Sequence, residues 1–248
     1  MFLLDYVYKE PKSLLGSQNA KTIKGNKFGY HTEIMYLSPN NQNTFKINIC
    51  QGATAGCKNA CLFNAGRGRF SNVQIARINR TEFFLRDRKA FMERLVSDIT
   101  KLSNKYGNVL TIRLNGTSDI DFENIPVGEY DNIFDMFPNV QFYDYTKRFD
   151  RLLNVLPSNY HITFSYAETG KNQLQALKAL ELGYNIAVVF GVKDKTKLPT
   201  KFNGYDVVTG DESDLRFLDR KNVVIGLTFK GSHSDMIKAI RSGFVVKI

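Results

Sequence analysis

NVLTIRLNGTSDI, residues 108–120, sets an apolar run at 109–114 directly against Asn115, Gly116, Thr117, Ser118 and Asp119. A short run rich in β-branched residues that halts on Asn, Gly, Ser and Asp reads as a buried strand delivering a polar loop from its carboxyl end. The same rhythm returns downstream. Strands are predicted at 140–145, 161–166, 186–190, 205–208 and 223–229, with a short last one at 244–247, and helical or turn segments fall between most of them. The clearest of those helices covers 172–182 and is stopped by Gly183. Short apolar strands alternating with helices favour a parallel sheet with right-handed crossovers.

Working back toward the amino terminus, Asp87 can cap a helix over 88–105, where Phe91, Met92, Leu95, Val96, Ile99 and Leu102 form a stripe at helical spacing. Ser71 or Asn72 can cap a preceding helix that runs to about Arg86. Residues 45–49, FKINI, alternate apolar and polar positions and end on Cys50, so they read as the first core strand. The first forty residues carry YVY and FGYHTEIMYL, broken by Gly16, Gly25, Gly29 and Pro39, which suggests a hairpin or short strands. The total of roughly seven or eight strand–helix units predicts a single-domain α/β fold, a complete or incomplete (β/α) barrel, TIM-barrel-like, with an N-terminal β extension. Residues 1–44 are then the extension packed on the barrel, and 45–248 the barrel-like domain with its cysteine loop at 50–61.

The 248 residues carry a formal charge of +10, which points to an anionic partner such as nucleic acid or a phosphorylated ligand, with a solvated basic surface as the plain alternative. Neither a signal peptide nor a membrane span is legible, because MFLLDYVYKEPKS breaks its apolar start with a charge at Asp5. A cytoplasmic, reducing setting is therefore expected, with no membrane partner.

All three cysteines, Cys50, Cys57 and Cys61, lie in ICQGATAGCKNACLFNAGRGR, residues 49–69, in a C-x6-C-x3-C pattern among small residues. Clustered reduced thiols in a loop of Gly, Ala, Thr and Asn suggest thiolate ligation of a metal. Zinc requires a fourth ligand from His31, His161, His233 or a carboxylate; three thiolates on a [4Fe–4S] cluster leave one iron open. In a parallel α/β fold the chemistry gathers where strands end. That rule selects Asn115, Thr117, Ser118, Asp119, Asp144, Lys147, Ser165 and Asp211 as candidate cofactor-binding residues, with Arg67 and Arg69 of the GRG segment available to neutralise an anionic cluster or cofactor. TGDESD at 209–214 can hold a divalent ion or simply cap a helix. Arg77, Arg80, Arg86 and Arg88 extend the basic run, as nucleic-acid contacts or as a solvated helix face.

In placing three cysteines in one loop after a first strand, the chain resembles the layout of radical S-adenosylmethionine enzymes, whose usual spacing is C-x3-C-x2-C; the likeness is to placement and not to motif. A closer resemblance, carried by GATAGCKNACLFNAGRGRF, ARINRTEFFLRDRKAFMERLVSDI, RLNGTSDI, VQFYDYTKR, GYDVVTGDESDLRFLD and VVIGLTFKG, is to an uncharacterised bacteriophage family allied to the gene-product-88-like proteins. It implies a phage protein made in the infected cell and brings no activity with it.

Two functions follow as expectations. The first is an iron–sulfur protein with a [4Fe–4S] cluster on Cys50, Cys57 and Cys61 and an open iron suited to radical or Lewis-acid chemistry, with S-adenosylmethionine as a candidate second cofactor and zinc as the alternative metal. The second is a nucleic-acid-binding protein without catalytic activity, in which a metal only fixes the loop and the basic face does the binding.

Overall fold

A computed structural model describes residues 6–16, 20–61, 63 and 66–248. Its strands are β1 (Leu15–Gly16), β2 (His31–Met35), β3 (Leu110–Arg113), β4 (Gln141–Thr146), β5 (Tyr160–Ser165), β6 (Ile186–Phe190), β7 (Lys201–Phe202), β8 (Tyr205–Thr209) and β9 (Val224–Thr228). Among the helices, α1 (Ala20–Gly25), α2 (Ala55–Asn59), α3 (Ser71–Arg86) and α4 (Arg88–Tyr106) precede β3, α5 (Ile133–Met136) precedes β4, and α6 (Gly170–Glu181) and α7 (His233–Arg241) follow β5 and β9.

The expected barrel is corrected by the strand order, which is β1-β2-β3-β4-β5-β6-β9-β8-β7, a nine-stranded mixed sheet that does not close. A (β/α) barrel pairs each strand with the next in sequence and the last with the first. Here β9 inserts between β6 and β8, and both edges end in two-residue antiparallel strands, β1 on β2 and β7 on β8. The β7–β8 hairpin turns on Asn203 and Gly204, both at positive φ (50° and 86°), the backbone that a tight hairpin needs.

The expected strand at 45–49 is also absent. Lys46 sits at φ 57°, and Phe45 and Ile47 are 44% and 48% exposed while Ile49 is buried, so the apolar alternation does not share one covered face. The first parallel strand is β2, which pairs with β3 from His31↔Leu110 to Ile34↔Arg113. At 244–247 the structure has an isolated bridge, Val246 to Phe190, in place of a strand.

The chain divides into two compact units. In the first (residues 1–51, 62–142 and 156–160), α3 and α4 supply the aromatic core. Asp87 caps α4 by accepting the Ala90 N–H at 2.9 Å, and the α4 stripe buries Phe91, Met92, Leu95 and Ile99. Phe91 meets Phe83 and Phe84 edge-on at centroid distances of 5.6 and 5.1 Å.

In the second unit (residues 52–61, 143–155 and 161–248), β6 lies parallel to both β5 and β9, and β9 to β8. Ile162, Phe164, Ile186, Val188 and Val224 are buried on these strands, and Ala176, Ala179 and Leu180 of α6 are buried with them. Helix α7 opens with a reciprocal Ser232–Asp235 capping box and buries Met236 and Ala239 in a cluster with Phe229 and Val245.

Candidate functional site

Cys50 belongs to the first unit, at the end of a loop that is held from within. Asn43 is fully buried and both donates to the Ile47 carbonyl (2.7 Å) and accepts the Ile47 N–H (3.1 Å). Thr44 sends its backbone N–H and its hydroxyl to the buried Glu82 carboxylate, each at 2.6 Å. The Cys50 sulfur accepts the Asn40 N–H at 3.3 Å and directs its thiol to the Thr117 carbonyl at 3.4 Å.

The Asn115–Asp119 candidates form the turn that braces this thiol. Asn115 accepts from the Ser118 hydroxyl and the Ile120 N–H and donates to the Ile120 carbonyl, all at 2.8 Å. Thr117 donates to the Leu37 carbonyl, and the Asp119 N–H to that of Ile49 at 2.9 Å. Gly116 is required by close approach, since a Cβ there would lie 2.7 Å from the Met35 carbonyl oxygen.

Cys57 and Cys61 belong to the second unit, with Cys57 inside α2; Thr54 caps that helix by accepting the Cys57 N–H at 3.2 Å. None of the three cysteines is in a disulfide, and all three are half-buried. Among the described residues, no group of three or more His, Cys, Asp or Glu side chains gathers where it could hold a metal ion. The expectation of a metal-binding, iron–sulfur, radical-SAM-like centre is corrected on that ground: sequence clustering put three sulfurs within twelve positions, and the fold does not assemble them into a ligand set. The same holds for the 209–214 acids, where Glu212 pairs with Lys195 (2.9 Å) and Asp211 is engaged by the Thr228 N–H (3.0 Å) and the Lys230 ammonium (3.1 Å).

The second unit does bring together candidates from the ends of neighbouring strands. Lys147, just past β4, donates to the hydroxyl of Ser165, the last residue of β5, at 2.5 Å. Asp144 is fully buried within β4. Glu168 accepts the Gly56 N–H at 2.7 Å and the Thr54 hydroxyl at 2.8 Å, tying the segment that carries Cys57 to the β5–α6 turn. Burial pushes the Glu168 pKa up, but the Gly56 N–H, its own backbone N–H, Thr54 and the Lys147 charge outweigh it and hold the group below the ordinary carboxylate value.

Asn172 escaped sequence reasoning. Its buried amide donates to the Ser165 carbonyl (3.2 Å) and accepts the Ala167 N–H (2.6 Å), fixing the turn between these two residues; an Asn three residues after the helix-capping Thr169 was the available signal. A second missed group is Arg216, 1% exposed, with Nη1 3.2 Å from Asp219. Burial raises the Asp219 pKa against the pull of Arg216. His161, predicted only as one histidine among three, is held down to about 4 by burial and by the charges of Arg216 and Lys221.

The arginine run divides sharply. Arg77 is buried, with its guanidinium 4.8 Å from the Tyr36 ring centre and 5.6 Å from that of Phe63. Arg80 donates to the Ser13 carbonyl, and its pKa is lowered by burial and by Arg77. Arg86 pairs with Glu82 at 3.2 Å. Arg67 and Arg69, in the 3-10 turn Gly66–Arg69, are exposed, and Phe70 beside them is 54% exposed.

These observations define an open α/β protein whose polar residues collect in strand-end turns. A family model described as gene product 88 matches residues 13–248, and the chain belongs to that family, as its resemblance to the bacteriophage gene-product-88-like proteins implied. No curated protein and no solved structure matches it, and the likeness in layout to radical S-adenosylmethionine enzymes is not shown. Among the described residues, no helix is long and apolar enough to cross a membrane.

Proposed function

We propose that the protein binds single-stranded nucleic acid in the cytoplasm of the infected cell, using the turn at 66–70 of the first unit. The observation that supports this most directly is the exposure, on adjacent positions, of Arg67, Arg69 and Phe70, with neither arginine engaged by a carboxylate among the described residues. Two guanidinium groups supply bidentate contacts to phosphate, and a neighbouring exposed ring supplies a stacking surface that accepts any base. Gly68 between them is buried, so the turn has a fixed inner side and a charged outer one. The net charge of +10 adds a long-range attraction for polyanions.

Fluorescence anisotropy of labelled oligo(dT) and oligo(U) tests the reading. Binding is expected at low salt, weakening as salt rises, and strongly reduced in Arg67→Ala/Arg69→Ala with the circular dichroism spectrum unchanged. An absence of binding at low salt, or binding indifferent to the double substitution, overturns it.

A further inference from the structure

We propose that the second unit carries a separate site for a small oxyanion, of the phosphate-group type, on Lys147 and Ser165. An ammonium has no lone pair, so in the 2.5 Å contact the Ser165 oxygen is the acceptor and its own O–H remains to donate. No acceptor for that O–H exists among the described residues. Two donors from the ends of neighbouring strands, both half-buried and so within reach of solvent, present an acceptor-rich ligand with charge-assisted hydrogen bonds.

The surroundings hold this pair in place. A Cβ at Gly52 would lie 2.8 Å from the Lys147 Cβ and 2.9 Å from its carbonyl carbon, so bare backbone lies directly against the lysine. The Phe244 ring centre is 5.8 Å from the ammonium. Behind Ser165, Asn172 locks the backbone of the turn from both sides. The nearby Glu168 carboxylate is directed to Thr54 and Gly56, so its charge is hydrogen-bonded to donors other than Ser165. Donors positioned by rigid neighbours bind without first being ordered, which is the advantage of a preorganised site.

Ligand-observed phosphorus NMR on the intact chain tests the proposal, with inorganic phosphate in one arm and phenyl phosphate in the other. Saturable line broadening is expected, at least tenfold weaker in Ser165→Ala and in Lys147→Met, each checked for an unchanged melting temperature. Binding of phenyl phosphate above inorganic phosphate assigns the site to an esterified group; the reverse assigns it to the free ion. The Arg67→Ala/Arg69→Ala protein is expected to bind both probes like the unaltered chain, which separates this site from the nucleic-acid surface. No saturable binding, or binding that persists in both single variants, overturns the proposal. If a variant is unstable, the same comparison is made with Ser165→Thr, which keeps the hydroxyl and is expected to retain binding.

Discussion

Glu168 closes the Thr54–Cys57 turn of the second unit, taking the Gly56 N–H at 2.7 Å and leaving no room for a side chain on that glycine: a Cβ there would stand 2.9 Å from Glu168 Oε2. Hydrogen bond and steric fit thus act on the same two residues. Glu168→Gln removes the charge from a group that accepts from Thr54 and Gly56, and a loss of about 1 kcal/mol is expected. The pH dependence has a definite sign. A carboxyl whose folded pKa lies below its ordinary 4.5 adds stability above that value and loses it as pH falls through the lowered folded value. The unaltered protein and the variant should therefore differ at neutral pH and converge below about 4.5, as read from denaturant midpoints across pH.

Gly52 and Gly56 give a steric prediction. A methyl at Gly52 would meet Lys147 at 2.8 Å, and one at Gly56 would meet the Phe244 Cβ at 2.6 Å, in both cases against atoms close to the main chain. Alanine at either position should cost about 1–3 kcal/mol by overpacking. Gly170→Ala, where the added methyl has nothing within 4 Å, should stay within about 0.5 kcal/mol in the same urea titration.

The sequence made helix α4 legible because two independent signals agreed: the Asp87 cap and the apolar stripe. Strands β3 to β6, β8 and β9 were legible to within a residue or two because each is a short apolar run that ends in turn residues. The sheet order was not, since periodicity says which residues form a strand and nothing about its neighbour, and the insertion of β9 between β6 and β8 is a property of pairing alone. FKINI misled because alternation marks a strand only if its apolar side is covered, and Phe45 and Ile47 are exposed. At the site, strand-end reasoning selected Lys147 and Ser165, which meet, but it also selected Asn115 and Ser118, which hydrogen-bond each other. Residue type alone does not separate a turn that satisfies itself from one that leaves a donor for a ligand.

His161 sets a second pH dependence in a different window. Its folded pKa of about 4 lies below the ordinary 6.5 because burial and the Arg216 and Lys221 charges disfavour the protonated ring. The unfolded chain takes up the proton first, so stability is full above 6.5, falls as pH drops from 6.5 toward 4, and loses nothing further from this group below that. The loss across the window should reach up to about 3 kcal/mol. His161→Gln has no such titration, and the difference between its urea midpoint and that of the unaltered protein should change between pH 7 and 5; a constant difference would show that the ring protonates alike in both states.

The two kinds of arginine in the first unit predict opposite phenotypes. Arg67 and Arg69 are exposed and unengaged by carboxylates among the described residues, so replacing both with Ala should leave stability nearly unchanged. If each contacts one phosphate, the log–log salt dependence of oligonucleotide binding should become shallower by about 1.4, the value for two charges released from a single strand. Arg77 lies buried against Tyr36 and Phe63, where its guanidinium works as packing surface. Arg77→Ala should therefore lower the denaturant midpoint by an amount equivalent to about 2 kcal/mol while leaving the salt slope of the folded fraction where it was. A slope that flattened in Arg77→Ala and stayed steep in the double variant would move the phosphate contacts off the 66–70 turn.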